Sequence, residues 1–168
     1  PLDEQTTFGP IASRQQFDRI HTYLNFGQQA GADLQTLTTA GDMPTSGHFM
    51  QPMLFDNANN SMRIAQEEIF GPVLSVISFK SDEEALQLAN GVSYGLAASV
   101  WTKDLSRARR FARDLDAGEI SICATTTPAA QPASLSVEPF GQSGHGVLAG
   151  RRGLEPYQRT KAVQIITD

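Results

Sequence analysis

The chain reads as an α/β protein, a parallel βαβ sheet covered by helices, on three observations. An apolar run rich in β-branched residues, Val73-Leu74-Ser75-Val76-Ile77-Ser78-Phe79, leads into a helix-opening pattern at Ser81-Asp82-Glu83-Glu84. Two further strand-like runs, Leu96 to Thr102 and Glu119 to Cys123, flank a segment with an apolar stripe at helical spacing. Strands separated by helices of this length need crossover connections, which place parallel strands beneath a helical layer.

Composition bounds the rest. A chain of 168 residues can bury roughly 70% of its unfolded surface without disulfides or metals. The balance of 13 Lys plus Arg against 18 Asp plus Glu leaves a net charge of -5, without the clustered cations that binding a polyanion requires. Nucleic acid is therefore not an expected partner. No apolar run approaches the ~20 residues that span a bilayer, so no membrane is expected either. A lone Cys cannot form an internal disulfide, which fits a reducing compartment and a cytoplasmic location. The chain opens with Pro1 rather than Met, which leads us to expect a processed, tagged or excised piece.

Taken in order, Ser13 and Gln16 have the spacing of a capping box, and Phe17, Ile20 and Leu24 recur at helical intervals, predicting a helix from about Arg14 to Ala30. Gly31 suits the left-handed position beyond its end. The polar stretch Thr36 to Gly47 predicts a surface loop. Phe49 to Phe55 is apolar but interrupted by Pro52, and a proline cannot donate to a ladder, so an edge strand or extended connection is expected. Val73 to Phe79 reads as a buried strand, followed by a helix from Ser81 that carries Ala85, Leu88 and Ala89. Asp104 can cap a helix with the stripe Leu105, Ala108, Phe111, Ala112 and Leu115, and Gly118 stands near its predicted C-cap. Thr125 to Ser136 reads as a loop, Pro139 to Gly146 as a glycine-dense turn, and Lys161 to Thr167 as a last strand.

The chemistry-bearing residues are few. Cys123 is the only thiol, but it closes an apolar strand with no helix N-terminus or cationic neighbour to stabilise a thiolate, and reads as a small hydrophobe. His21, His48 and His145 share no local spacing with Cys or a carboxylate, so no metal is expected; His145, among glycines, is the most open to a functional role. The run GQSGHG from Gly141 to Gly146 lacks the glycine order of a dinucleotide loop. Glu67 and Glu68, taken alone, read as a solvated face.

Their context changes that reading. The segment Glu67-Glu68-Ile69-Phe70-Gly71-Pro72-Val73 resembles the EEIFGPV signature of the aldehyde dehydrogenase superfamily. Upstream, Thr7-Phe8-Gly9-Pro10-Ile11 and Gly47 to Phe55 resemble the family's T-x-G-P-L and G-Y-F-x-x-P-T-V-F stretches. Downstream, Ala89 to Leu96, Thr102 to Leu105, Gly118-Glu119-Ile120 and Pro139-Phe140-Gly141 follow in the family's order, so the resemblance covers essentially the whole chain.

The resemblance implies an NAD or NADP cofactor, with Glu68 binding the nicotinamide-side ribose and Phe70 placed against the nicotinamide end. It implies that Phe140 stands at the substrate funnel, and that the loop from Ala124 to Val137 shapes the choice of aldehyde. In such enzymes a thiolate attacks the aldehyde, hydride passes to nicotinamide, and water releases the acid. The family's nucleophilic cysteine, general-base glutamate and dinucleotide-binding unit would all lie before Pro1, so none of this chain's residues is expected to be catalytic. Residues 1–158 are expected to form part of the catalytic domain and 159–168 a C-terminal oligomerisation strand, in a full-length homo-oligomer. Two departures stand out: a single Gln142 between Phe140-Gly141 and Ser143-Gly144 shortens the funnel turn, and Arg159 occupies the acidic position of the family's Y-T-E-x-K. The expected function is therefore part of an aldehyde dehydrogenase, inactive alone. The alternatives are a non-catalytic binding or oligomerisation module and a thiol hydrolase built on Cys123.

Overall fold

The computed structural model describes residues 4, 6, 8–37, 44, 46–124 and 134–167. The chain is mixed α/β and divides into two compact units, Pro1–Lys80 and Ser81–Asp168, each with its own apolar cluster.

In the first unit, helix α1 (Arg14–Gln29) begins where Ser13 Oγ accepts the Gln16 N–H at 3.2 Å, the cap that the spacing predicts. It ends ahead of Gly31, whose φ of +91° is open to glycine at little cost. Strands β1 (Asp33–Thr36), β2 (Met53–Asp56) and β3 (Val73–Ser75) form one sheet in that order, and a single helical turn, α2 (Arg63–Gln66), lies between β2 and β3. The β1·β2 pair is antiparallel, with Leu34 opposite Phe55; the β2·β3 pair is parallel, with Leu54 opposite Leu74. Ile20 and Phe55 are wholly buried at the centre, and Tyr23, Leu24, Ile64 and Ile69 pack around them.

Two expectations change here. The Met53–Asp56 strand is the middle of its sheet rather than an edge. Pro52 stands one residue before it, so the missing N–H falls outside the ladder, and its carbonyl accepts the Leu37 N–H at 2.8 Å. The run Val73 to Phe79 is not a long buried strand. Only Val73–Ser75 is strand, Val76 adds one bond to the Phe55 carbonyl at 2.9 Å, and the run alternates: Val73, Ser75 and Ile77 are half-buried while Leu74 is 59% exposed. An unbroken apolar run suits a strand covered on both faces, and this one is covered on one.

In the second unit, helix α3 (Asp82–Asn90) is capped by Ser81 Oγ, which accepts the Glu84 N–H at 3.2 Å. Strands β4 (Tyr94–Gly95) and β5 (Ala97–Trp101) precede helix α4 (Leu105–Asp114), whose first N–H groups donate to the Asp104 carboxylate. Strand β6 (Glu119–Cys123) then pairs parallel with β5, from Ala97 opposite Glu119 to Trp101 opposite Cys123, completing the predicted βαβ connection. Strand β7 (Phe140–Gly141) pairs antiparallel with β4, and a 3-10 turn, Arg152–Tyr157, follows. Leu86, Phe111 and Leu115 form the core against Ala98, Val100 and Ile120.

Here too the details depart from expectation. Helix α4 stops at Asp114 with Leu115 in the capping position, so Gly118 is not its cap. Gly118 is instead a close-approach residue, since a Cβ there would collide with the Glu138 carbonyl. The antiparallel pairs involving Asp33–Thr36 and Phe140–Gly141 have no counterpart in the sequence reading. At Lys161 to Thr167 no strand forms among the described residues, and Val163, Ile165 and Ile166 are strongly exposed. An extended segment becomes a strand only when a neighbour takes its N–H and C=O groups.

Candidate functional site

The segment from Glu67 to Gly71 is shaped from outside, by one face of α1. Gln16 Nε2 donates to the Ile69 and Phe70 carbonyls at 2.9 and 2.8 Å. The Arg19 guanidinium donates to the Glu68 carbonyl at 2.7 Å and the Ile69 carbonyl at 3.2 Å. Ile20 closes against Gly71, where a Cβ would lie 2.5 Å from Ile20 Cδ1. Tyr23 Oη donates to Glu67 Oε2 at 2.6 Å. Positions 16, 19, 20 and 23 recur at helical spacing, so a single stripe of side chains meets the whole turn.

The two adjacent glutamates differ in role. Glu67 takes a bidentate pair from Arg63, at 2.7 and 2.8 Å, besides the bond from Tyr23. The hydrogen bonds from Arg63 and then Tyr23 hold its carboxyl down to about 2. Arg63 is itself stacked over the Phe26 ring at 4.2 Å. Glu67 is thus a fixed anion tying α1 to α2. The Glu68 side chain is exposed and makes no hydrogen bond or ion pair among the described residues.

Phe70 carries φ +56°, a left-handed conformation uncommon for a bulky residue, and its ring is 66% exposed. Phe70 also lines a recess of about 270 Å³, together with Ile64, Glu67, Ile69, Gly71 and Val73. A free carboxylate, an open aromatic face and a recess therefore share one turn. A carboxylate accepts bonds from hydroxyl groups and an aromatic side chain offers an apolar wall, so the turn sets a hydrogen-bond acceptor beside an apolar surface.

The remaining candidates fall elsewhere. Phe140, in the second unit, is 46% exposed on β7. Its turn is held by the Gln142 N–H donating to the Ser93 carbonyl at 2.7 Å and by Ser143 Oγ accepting the Gly95 N–H at 3.0 Å. Of the loop from Ala124 to Val137, residues 125–133 lie outside the described residues. Cys123 is half-buried at the end of β6. His21 and His48 flank the Phe17 ring at 4.6 and 5.8 Å, while His145 is exposed. No group of three metal-ligating side chains occurs among the described residues, and no described helix is long and apolar enough to cross a membrane.

Sequence reasoning misses Gln16, Arg19, Tyr23 and Arg63 as parts of the site. The spacing places Gln16 in a capping box, yet only half of that box forms: its N–H meets Ser13 while its side chain reaches the carbonyls of the turn. The available signal is the set of polar residues at 16, 19 and 23 on the same helix face as buried Ile20.

Comparison with known proteins agrees across nearly the whole chain. The family model described as the aldehyde dehydrogenase family matches residues 1–163. An aldehyde dehydrogenase-like protein of Schizosaccharomyces pombe is 39% identical over 98% of this chain and 32% of its own length. Among solved structures, an NAD-dependent aldehyde dehydrogenase from Sinorhizobium meliloti superposes with a TM-score of 0.88 at 34% identity, over 98% of this chain and 32% of that one. Betaine aldehyde dehydrogenase from Staphylococcus aureus, solved in complex with NAD+, gives 0.81 at 36% identity, over 92% and 31%. The chain thus spans about a third of the length of these relatives.

Proposed function

The chain belongs to the aldehyde dehydrogenase family, and from that premise we propose that it is part of an NAD(P)-dependent enzyme that oxidises an aldehyde to a carboxylic acid. The observation that carries this reading is the Glu67–Gly71 turn, whose carbonyls are held by Gln16 and Arg19 and which presents an exposed Phe70 and a Glu68 carboxylate that has no partner among the described residues. When bound, NAD or NADP supplies the hydride acceptor. Glu68 accepts hydrogen bonds from the hydroxyls of the nicotinamide-side ribose, and Phe70 forms the apolar wall at the nicotinamide end. Phe140 lines the approach of the aldehyde.

The nucleophilic cysteine and general-base glutamate are assigned to the part of the relatives' length that this chain does not span, so the chain alone is expected to be inactive. Residues 1–158 are assigned to the catalytic domain. Residues 159–168, with Val163, Ile165 and Ile166 exposed, are assigned to pairing with another subunit of a homo-oligomer, where an unpaired strand edge would be covered. The single thiol is consistent with a cytoplasmic enzyme.

The test is to supply the folded full-length protein with a panel of aldehydes and either NAD+ or NADP+ and follow the absorbance of the reduced nucleotide. Turnover with at least one pair is expected. Its absence with every pair would contradict the assignment and favour a non-catalytic module.

A further inference from the structure

We infer that Asn90 is a positioning residue for Phe140, and through it for aldehyde selectivity, acting by way of the turn between α4 and β6. The inference rests on the assignment of Phe140 to the approach of the aldehyde. Asn90 ends helix α3, and its amide clamps the chain on both sides of Leu115. Its Nδ2 donates to the Asp114 carbonyl at 2.8 Å, and its Oδ1 accepts the Asp116 N–H at 3.0 Å. Asp114 is the last residue of α4, where a carbonyl has no partner within its own helix. Leu115, between the two bonds, is buried in the core of the second unit. A clamp on both sides of a buried residue fixes the backbone that follows it.

Strand β4 connects that backbone to Phe140. The Asp116 carbonyl closes on Gly95, where a Cβ would collide with it, and the Gly118 N–H donates to the Gly95 carbonyl at 3.1 Å. The same Cβ would lie 2.7 Å from Phe140 Cβ, and Gly95 stands opposite Phe140 in the β4·β7 pair. Gly118 in turn meets the Glu138 carbonyl, again too closely for a side chain. At these two glycines, backbone packs on backbone, so a shift of the Asp116–Gly118 segment is passed on to Phe140 rather than absorbed by a flexible side chain. The Asn90 amide bonds to backbone groups of the turn, so changing it moves Phe140 without altering a side chain beside the aldehyde.

The experiment uses the full-length enzyme with Asn90→Ala, which removes both bonds, and Asn90→Asp, which keeps the acceptor for the Asp116 N–H and removes the donor. Each is made in the native background and with Phe140→Ala, with thermal unfolding confirming a folded protein. A fluorinated phenylalanine at position 140 reports the surroundings of that ring by fluorine NMR. Kinetics with benzaldehyde and propanal separate the KM for aldehyde from kcat and from the KM for NAD+. Asn90→Ala should shift the fluorine resonance and raise the KM for benzaldehyde about tenfold, the size of one net hydrogen-bonding contribution, with Asn90→Asp intermediate. The KM for the smaller propanal should rise less and that for NAD+ should stay, and in the Phe140→Ala background the change in aldehyde KM should vanish. A lowered melting temperature with an unmoved fluorine resonance and unchanged aldehyde KM values would mark Asn90 as purely structural and overturn the inference. An equal rise in KM in both backgrounds would overturn it too. If Phe140→Ala alone leaves both aldehyde KM values unchanged, the assignment of Phe140 fails, and the inference about selectivity falls with it even where the resonance shifts.

Discussion

Tyr23 donates its phenolic hydrogen to Glu67 Oε2 across 2.6 Å, so a helix that opens the first unit grips the residue next to the free carboxylate of Glu68. Arg63 completes the grip by donating to both carboxylate oxygens. The turn thus separates two roles in adjacent residues of the same type: Glu67 is an anchored, paired anion, and Glu68 is left available.

This grip has a pH signature. The Glu67 carboxyl lies at about 2 against an ordinary 4.5, held there first by Arg63 and then by Tyr23. A carboxyl with a depressed folded pKa contributes stability that is fully present above its ordinary pKa and lost as pH falls through the folded one. Melting temperature should therefore fall as pH is lowered from 4.5 toward 2. Tyr23→Phe should raise the Glu67 pKa and flatten this acid-induced loss. An unchanged slope of melting temperature against pH in Tyr23→Phe would show that Glu67 does not respond to the phenol.

Gly71→Ala should destabilise the protein by about 1–3 kcal/mol, the usual cost of overpacking. Its Cβ would lie 2.5 Å from Cδ1 and 2.7 Å from Cγ1 of Ile20, which is wholly buried and cannot swing away. Combining it with Ile20→Val removes the nearer atom, so denaturant unfolding should show a double variant less destabilised than the two single effects added together.

At Gly27 two effects compete. Alanine is favoured over glycine inside a helix by about 0.8–1.0 kcal/mol. Its Cβ would also lie 2.5 Å from Phe55 Cε1, in a ring with no exposed surface and nowhere to move. Overpacking, at about 1–3 kcal/mol, outweighs the gain in helix propensity, so Gly27→Ala should lower the unfolding free energy. Stabilisation measured by urea titration would mean that Phe55 repacks freely.

In the second unit, Ser81→Ala removes the acceptor for the Glu84 N–H and should cost about 1 kcal/mol, with Ser81→Asp retaining the cap. For a protein of this size the alanine change lowers the melting temperature by roughly 2–4 °C. Equal melting temperatures for Ser81→Ala and the parent would mean that the cap contributes nothing.

What is legible in the sequence is local. The Ser13, Ser81 and Asp104 caps and the β5–α4–β6 unit follow from spacing, because capping and periodicity involve residues within a few positions of each other. The middle position of Met53–Asp56 and the pairing of Phe140–Gly141 with Tyr94–Gly95 are not legible, since each depends on a partner distant in sequence and the strands are too short for a period. At the site, family resemblance picks out Glu68, Phe70 and Phe140. The bonds that hold the first two run from Gln16 and Arg19 to backbone carbonyls, and a carbonyl carries no residue type that a sequence could display. The terminal run Lys161 to Thr167 has the composition of a strand, but composition supplies no neighbour.

The central claim, that the Glu67–Gly71 turn presents Glu68 to the cofactor, is tested most directly by the Kd of full-length Glu68→Gln for NAD+, measured by calorimetry beside the parent. Glutamine keeps the size but loses the charge that strengthens bonds from ribose hydroxyls, so binding should weaken by about tenfold or more, with thermal stability unchanged. A variant that binds NAD+ as tightly as the parent would contradict the account.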